Sequence, residues 1–210
     1  SLHWGVLGGV SQPMRCGKGT TYEGGHRVPG IIWAPSLFPP NTTKPHTSDA
    51  LSSTLDILPT FLHYANIPLP NVTLDGVNLA PLLDNTLPSS TSPSTSTATL
   101  LPSTTSTSPL HAPLFPYWRG GTLYALRWEN YKAHFATRGW AGDASSIPRD
   151  PACWDTAKFT THDPPLLYDL GRDVEERYPL SPTDYPDLVA FAKSTRDALI
   201  RNMTFAPSQI

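Results

Sequence analysis

The sequence lacks an excess of charge of either sign, and it lacks a long apolar run. The formal net charge is −2 with 15% charged residues, which leaves no basic face for nucleic acid and no polybasic segment for an anionic membrane. Prolines and polar residues interrupt every hydrophobic run before it reaches the roughly 18 to 20 residues that a membrane span needs. We therefore expect that the protein binds no nucleic acid and has no membrane span. The expected partner is a small molecule or another protein.

Cysteine is also scarce, and the sequence has neither an initiating methionine nor a signal peptide at its first residues. Cys16 and Cys153 are the only two cysteines, which is compatible with one disulfide or with two buried thiols. The chain begins at Ser1 without a methionine or a signal peptide, and we interpret Ser1 as a cut end. Three sequons would accept N-linked glycans if the chain enters the secretory pathway; they begin at Asn41, Asn71 and Asn202.

The amino-acid composition indicates a globular chain that is rich in loops. The 210 residues include 39% hydrophobic residues and 24 prolines, enough for one large domain or two small ones. Residues 31–33, which are Ile, Ile and Trp between breakers, predict a short buried strand. The next segment predicts a helix that begins at Ser48 or Asp49 and is kinked or restarted by Pro59. This alternation of strand and helix predicts an α/β fold.

The C-terminal part predicts a small antiparallel sheet followed by a helix. Aromatic and β-branched residues flank Glu129 and Asn130, which predicts a hairpin with its turn at these two residues. Another strand is expected at 166–170, with a turn at Gly171. An apolar stripe over 184–202 predicts a helix that is capped by its first residue, Asp184.

A Ser/Thr/Pro-rich tract over residues 86–113 separates these parts. It has almost nothing to bury, so we expect it to be disordered and suited to O-glycosylation. It is a surface insertion, a stretch of misread coding sequence, or a linker, in that order of preference. The predicted organisation is therefore an α/β part over 1–85, the tract over 86–113, and an antiparallel-sheet subdomain with a terminal helix over 114–210.

The segment Met14–Gly30 places five glycines around Lys18. A phosphate-binding loop is excluded, because Gly19 follows the lysine and Gln12 stands where the first glycine belongs. A Rossmann fingerprint is excluded because no apolar strand precedes the segment. Two interpretations stay open on spacing alone: a tight turn with a solvated lysine, and an anion site made by backbone N–H groups and the ammonium.

Five ordered blocks resolve this choice by resemblance. The chain resembles the C-terminal portion of the arylsulfatase A type sulfatases, in the alkaline-phosphatase-like superfamily, over most of its length outside the tract and the first dozen residues. The matching blocks read RCGKGTTYEGGHRVPG, SSTLDILPTFLHYANIPLPNVTLDGVNLAPLL, YKAHF, DPAC and HDPPLLYDLGRDVEERYPL.

The resemblance assigns roles to individual residues. Lys18 matches the active-site lysine of the family, which binds a sulfate oxygen and stabilises charge during S–O cleavage. Cys16 and Cys153 match a family disulfide, and Asn71 matches a glycosylated position. We interpret the glycines as room for the ammonium to approach a tetrahedral anion.

Two further assignments near Lys18 concern the residues that follow it. Glu23 and Arg27 are interpreted as a structural ion pair rather than as catalysts. His26 is close enough to Lys18 in sequence for a substrate-proximal role, whereas His134 and His162 are interpreted as structural.

The resemblance also implies groups that this chain does not carry. The family nucleophile is a formylglycine made from the cysteine of a C-x-P-x-R motif, and neither cysteine here stands in one. The family also binds calcium, whose oxygen ligands we expect in an N-terminal half beyond Ser1. We therefore expect the complete protein to hydrolyse a sulfate ester, of an aryl sulfate or a sulfated glycolipid, in the lysosome or the secretory pathway.

Alone, the 210-residue chain is expected to be inactive. The alternative is a non-catalytic stub that binds sulfate or pairs with intact sulfatase subunits, and an incomplete gene model is a third explanation. Whether the protein forms homo-oligomers stays open at this point.

Overall fold

The structure is a computed structural model that describes residues 13–38, 47–72, 74–84, 114–139, 150–153 and 158–203. These residues belong to two compact units. The sheet unit contains residues 13–27 and the described residues from 114 onward, and the helical unit contains the described residues between 28 and 84. The segment around Lys18 thus belongs with the sheet. The predicted boundaries at 85 and 113 stay a prediction, because residues 85–113 lie outside the described residues.

In the described part of the sheet unit, four antiparallel strands lie side by side in the order β1 (Phe115–Arg119), β2 (Thr122–Trp128), β3 (Tyr131–Thr137) and β4 (Thr160–Asp169). The hairpin between β2 and β3 turns at Glu129 and Asn130, as predicted, and Trp128 pairs with Tyr131 across it. A second hairpin joins β1 and β2 through Gly120, whose φ of +58° suits glycine.

Two short helical segments also belong to the sheet unit. Helix α1, Glu23–His26, follows the segment around Lys18. A 3₁₀ turn over Pro151–Cys153 precedes β4.

The long helix α4, Pro186–Asn202, packs on the sheet and closes its core. Leu188 and Ala192, one turn apart, are fully buried against residues such as Trp128 and Leu167. The helix was predicted to begin at Asp184, and this is wrong. Asp184 lies in the preceding turn and donates its N–H to Ser181 O, while the fixed φ of Pro186 suits the first helical position.

The helical unit contains α2 (Ile57–Tyr64) and α3 (Ala80–Leu83). A capping box of Ser53 and Asp56 starts a 3₁₀ turn over Thr54–Asp56 that continues into α2. The predicted start at Ser48 or Asp49 is therefore wrong. Pro59 lies in the first turn of α2, where its missing N–H leaves no broken bond, so it does not interrupt the helix.

The strand predicted at 31–33 is also wrong. These residues have no regular secondary structure, and Ile31 is 91% exposed. A strand needs a neighbour for its backbone N–H and C=O groups, and none of the described strands pairs with this segment. Within the residues that the structure describes, no helix has the length and apolar character to cross a bilayer.

Candidate functional site

Lys18 lies at the tip of a closed loop, residues 15–24, which we call the lysine loop. The loop is closed at its base by the N–H of Gly24, which donates to Arg15 O at 3.0 Å. At its tip, Thr20 donates both its N–H and its hydroxyl to Gly17 O, at 3.2 and 2.9 Å. Thr20 is buried and Lys18 is exposed. The turn therefore presents one ammonium group on a backbone that is internally bonded.

Gly24 and Gly25 have a packing role, while the predicted role of the glycines as room for the ammonium beside an anion stays a prediction. A Cβ on Gly24 would lie 2.2 Å from Cys16 O, and a Cβ on Gly25 would lie 2.3 Å from Thr20 O. These two glycines let helix α1 fold back onto the loop. Gly19 has a φ of +91°, which glycine adopts at little cost.

The loop is covalently attached to the rest of the sheet unit. Cys16 and Cys153 form a disulfide with a Cα–Cα distance of 5.2 Å, which agrees with the pairing that the resemblance implied. Beside it, Arg15 Nε donates to Asp150 Oδ2 at 2.6 Å, and Arg15 Nη1 donates to Glu176 O at 2.9 Å. Because Arg15 and Cys16 are neighbours, the N-terminal side of the loop is held by a covalent bond, an ion pair and a hydrogen bond to the main chain.

Charged side chains beneath the loop form a cluster that the sequence did not reveal. Lys132 Nζ lies 3.0 Å from Glu23 Oε1 and 3.2 Å from Glu176 Oε1. The side chains of Lys132 and Glu176 are fully buried and that of Glu23 is 1% exposed. Arg127 Nη1 adds a second cation, 3.1 Å from Glu23 Oε2. We call these four residues, together with His134, the buried ion cluster.

Opposite charges keep the cluster ionised despite its burial. Burial by itself would raise the pKa of Glu176, but Lys132 and the hydrogen bond from His134 outweigh it and lower that pKa to about 2. Burial would lower the pKa of Lys132, yet Glu176, Tyr117 and Glu23 together raise it. With Glu23 and Arg127, the cluster contains two carboxylates and two cations, so its charges balance.

His134 completes the cluster as a neutral imidazole. Its Nε2 lies 2.7 Å from Glu176 Oε1, and its Nδ1 lies 3.4 Å from the hydroxyl of Thr21. Because the carboxylate can only accept, Nε2 carries the proton and Nδ1 accepts from Thr21. The ring also packs against Tyr22 at 4.9 Å and Tyr168 at 5.8 Å between centroids. Thr21 and Tyr22 belong to the lysine loop, so His134 contacts it twice.

We expect His134 to make the stability of the chain depend on pH between about 7 and 5. Burial lowers the pKa of His134, and Lys132 and His162 lower it further against the opposing effect of Glu176. The unfolded histidine takes up a proton near its usual pKa of about 6.5 while the folded one does not, so stability falls as pH falls. His134→Gln should reduce this slope by at most about 1.4 kcal/mol per pH unit.

Urea unfolding of the chain at about pH 7, 6 and 5 measures this slope. His63→Gln is the matched control, because His63 is exposed on α2 and its replacement should leave the slope as it was. An unchanged slope in His134→Gln would contradict this prediction, because it would mean that His134 takes up its proton alike in the folded and the unfolded chain.

The remaining predicted residues have simpler surroundings. His26 packs edge-on against the ring of Tyr117 at 4.8 Å. Partial desolvation, followed by the charge of Lys132, lowers its pKa although the residue as a whole is exposed. Its substrate-proximal role stays a prediction. Glu23 is a structural ion-pair residue, as predicted, but its partners are Arg127 and Lys132, whereas the predicted partner Arg27 is exposed.

The metal and glycan predictions are not decided by the described residues. In this part of the chain, no three His, Cys, Asp or Glu side chains come together as a metal site. The side chains described here therefore do not fit calcium by themselves, and we derive no step through it. Asn71 and Asn202 are exposed, Asn41 lies outside the described residues, and glycosylation stays a prediction for all three.

Comparison with known proteins supports the fold and the resemblance. The sulfatase family model matches residues 4–67, and the model for the C-terminal region of aryl-sulfatase matches residues 110–210. The chain belongs to the sulfatase family. Within it, the chain is similar to arylsulfatase A of Homo sapiens and of Bos taurus, with 40% and 39% identity over 97% of its own length.

One further relative concerns the family, and one solved structure concerns the fold. N-acetylgalactosamine-6-sulfatase of Homo sapiens is 34% identical over 83% of this chain and 30% of its own length. A crystal structure of the PsFucS1 sulfatase from Pseudoalteromonas sp. covers 90% of this chain and matches over 32% of its own, with a TM-score of 0.63 and 23% identity. This confirms the predicted α/β class with an antiparallel sheet and a C-terminal helix. The chain spans 37% of the length of both arylsulfatase A relatives.

One sequence signal, in the strand segment YKAHF, points to the buried ion cluster. In the strand segment YKAHF, Lys132 and His134 are two residues apart, so they share one face of β3. The residue between them, Ala133, is buried in the apolar core. A lysine and a histidine on one face of a strand that is buried on both faces require partners. The lysine loop and Glu176 together supply them.

Proposed function

We propose that this chain supplies the sulfate-binding lysine and the C-terminal subdomain of a sulfate ester hydrolase of the arylsulfatase type. The observation that supports this best is the exposed Lys18 at the tip of a loop that the disulfide and the buried ion cluster attach to the sheet. The family membership and the 40% identity to arylsulfatase A support the same conclusion.

In this proposal, Lys18 stabilises charge electrostatically and forms no covalent bond to the substrate. Its ammonium donates to a non-bridging oxygen of the sulfate group and stabilises the negative charge that grows as the S–O bond breaks. A lysine on a loop that is fixed in advance needs little reorganisation during the reaction, which makes such a donor effective. We assign no base role to His26, and its substrate-proximal role stays a prediction.

The cysteines of this chain do not supply the proposed nucleophile, and its described residues form no metal site of three or more His, Cys, Asp or Glu side chains. Both cysteines are used in the disulfide, so neither is free to become a formylglycine. We propose that the whole protein takes its formylglycine and its calcium ligands from residues that this chain does not contain. The proposed substrate is an aryl sulfate or a sulfated glycolipid such as a cerebroside sulfate, and the proposed location is the lysosome or the secretory pathway.

Hydrolysis assays on the whole protein test this proposal. We expect the protein expressed from its complete coding sequence to cleave an aryl sulfate in preference to the matching aryl phosphate. Lys18→Ala should lower kcat/KM by roughly 100-fold, the size of effect seen when one oxyanion donor is removed. Lys193→Ala is the control, because Lys193 pairs with Asp163 at the surface of α4, and it should leave kcat/KM unchanged.

Two results would contradict the proposal. Preference for the aryl phosphate would indicate a phosphatase of the same superfamily. Saturable binding of inorganic sulfate without hydrolysis, abolished by Lys18→Ala, would favour the non-catalytic stub that binds sulfate or pairs with intact subunits.

A further inference from the structure

We propose that Glu23, Lys132 and Glu176 are positioning residues, which hold the lysine loop on the sheet so that Lys18 meets the sulfate group in a fixed place. This inference rests on the proposed function, because a positioning role exists only if Lys18 binds sulfate. The three residues act through the loop and not on the substrate.

The three side chains join three separate segments of the sheet unit. Glu23 is the first residue of α1 and comes shortly after Lys18, Lys132 is on the inner strand β3, and Glu176 follows β4. The Lys132 ammonium lies within 3.2 Å of both carboxylates. One buried cation therefore connects the end of the lysine loop with two parts of the sheet unit.

Glu176 also forms a hydrogen bond with the main chain of the lysine loop. The backbone N–H of Glu23 donates to Glu176 Oε2 at 2.5 Å. The next residue, Gly24, closes the loop on Arg15 O. If the Glu176 carboxylate moved, the main chain at Glu23 and Gly24 would therefore move with it, and so would the base of the loop.

Backbone conformation marks two of the residues that hold the lysine loop. Cys16 and Glu176 have φ values of 57° and 52°, in the left-handed region that residues with a side chain rarely adopt. The disulfide holds Cys16 in this conformation. Glu176 is held in it by its bonds to Lys132, His134 and Glu23. Strained residues of this kind persist only where their surroundings determine them, and they are common at functional sites.

A double-mutant cycle in the whole protein tests the inference. The variants are Glu176→Gln, Lys18→Ala and both together, measured as kcat/KM for an aryl sulfate. Glu176→Gln alone should lower kcat/KM by roughly 10-fold or more, because small misplacements of a catalytic group are costly. In the Lys18→Ala background the same change should cost less than about twofold, because the effect acts through Lys18.

The control is Glu175→Gln, because Glu175 is the preceding residue and pairs with Arg177 near the surface. It should leave kcat/KM unchanged in both backgrounds. Equal losses for Glu176→Gln in both backgrounds would overturn the inference, since a smaller folded fraction lowers both alike. No loss from Lys18→Ala would overturn the proposed function and this inference with it, so the two failures are distinguishable.

A milder variant covers the case in which Glu176→Gln does not fold. Thr21→Val removes only the hydroxyl that contacts His134 Nδ1 at 3.4 Å and keeps the shape of the side chain. We expect roughly a threefold loss in kcat/KM that disappears in the Lys18→Ala background. A loss of the same size in both backgrounds would again overturn the inference.

Discussion

Replacing both cysteines, in the variant Cys16→Ser/Cys153→Ser, is expected to lower the free energy of unfolding by about 5 kcal/mol. The disulfide links residues 137 positions apart, and in the chain-entropy model a closure of this length is worth about that much. Apolar packing offers little to replace it, because among the described residues the cluster beside the bond adds only Tyr22 and Ala152 to the two cysteines. Urea unfolding of the chain with and without the disulfide measures the difference.

A reducing agent provides the control for this prediction. It should destabilise the unmodified chain by about as much as the double substitution does, and it should not affect the double variant, which has no cysteine left. A loss below about 1 kcal/mol, well under the usual range for a disulfide, would show that the Arg15–Asp150 ion pair and the buried ion cluster hold the loop without the disulfide.

Features that depend on neighbouring residues could be predicted from the sequence. The hairpin at Glu129 and Asn130 is an example, because its turn and both strands lie within residues 122–137 and carry the aromatic and β-branched residues that favour strands. The Cys16–Cys153 pairing is different. Two cysteines leave a disulfide and two thiols equally open, and only the resemblance to a known family selected the disulfide.

Features that depend on distant partners were missed. Residues 31–33 have the composition of a strand, but no described strand pairs with them, and composition cannot supply a partner. The buried ion cluster joins Glu23 to Lys132 across 109 positions and to Glu176 across 153. Sequence distance by itself therefore favours the nearby Arg27 as the partner of Glu23, which is wrong.

Lys132→Met is expected to destabilise the chain by about 3 to 5 kcal/mol, the cost of leaving a buried charge without its partner. Met has a similar length and no charge, so the change removes the cation and keeps most of the volume. Glu23 would still have Arg127, but Glu176 would lose its main opposite charge while fully buried. Urea unfolding at about pH 7, where the cluster carries both signs of charge, measures the loss.

Two companion variants separate charge from packing. Lys132→Met/Glu176→Gln removes one charge of each sign and should recover a large part of the lost stability, because the remaining Glu23–Arg127 pair is balanced. Lys193→Met should leave the unfolding midpoint nearly unchanged, because its pair with Asp163 is exposed to water. If the double variant were as unstable as Lys132→Met alone, the lysine would be required for packing, and charge balance would not be what holds the lysine loop to the sheet.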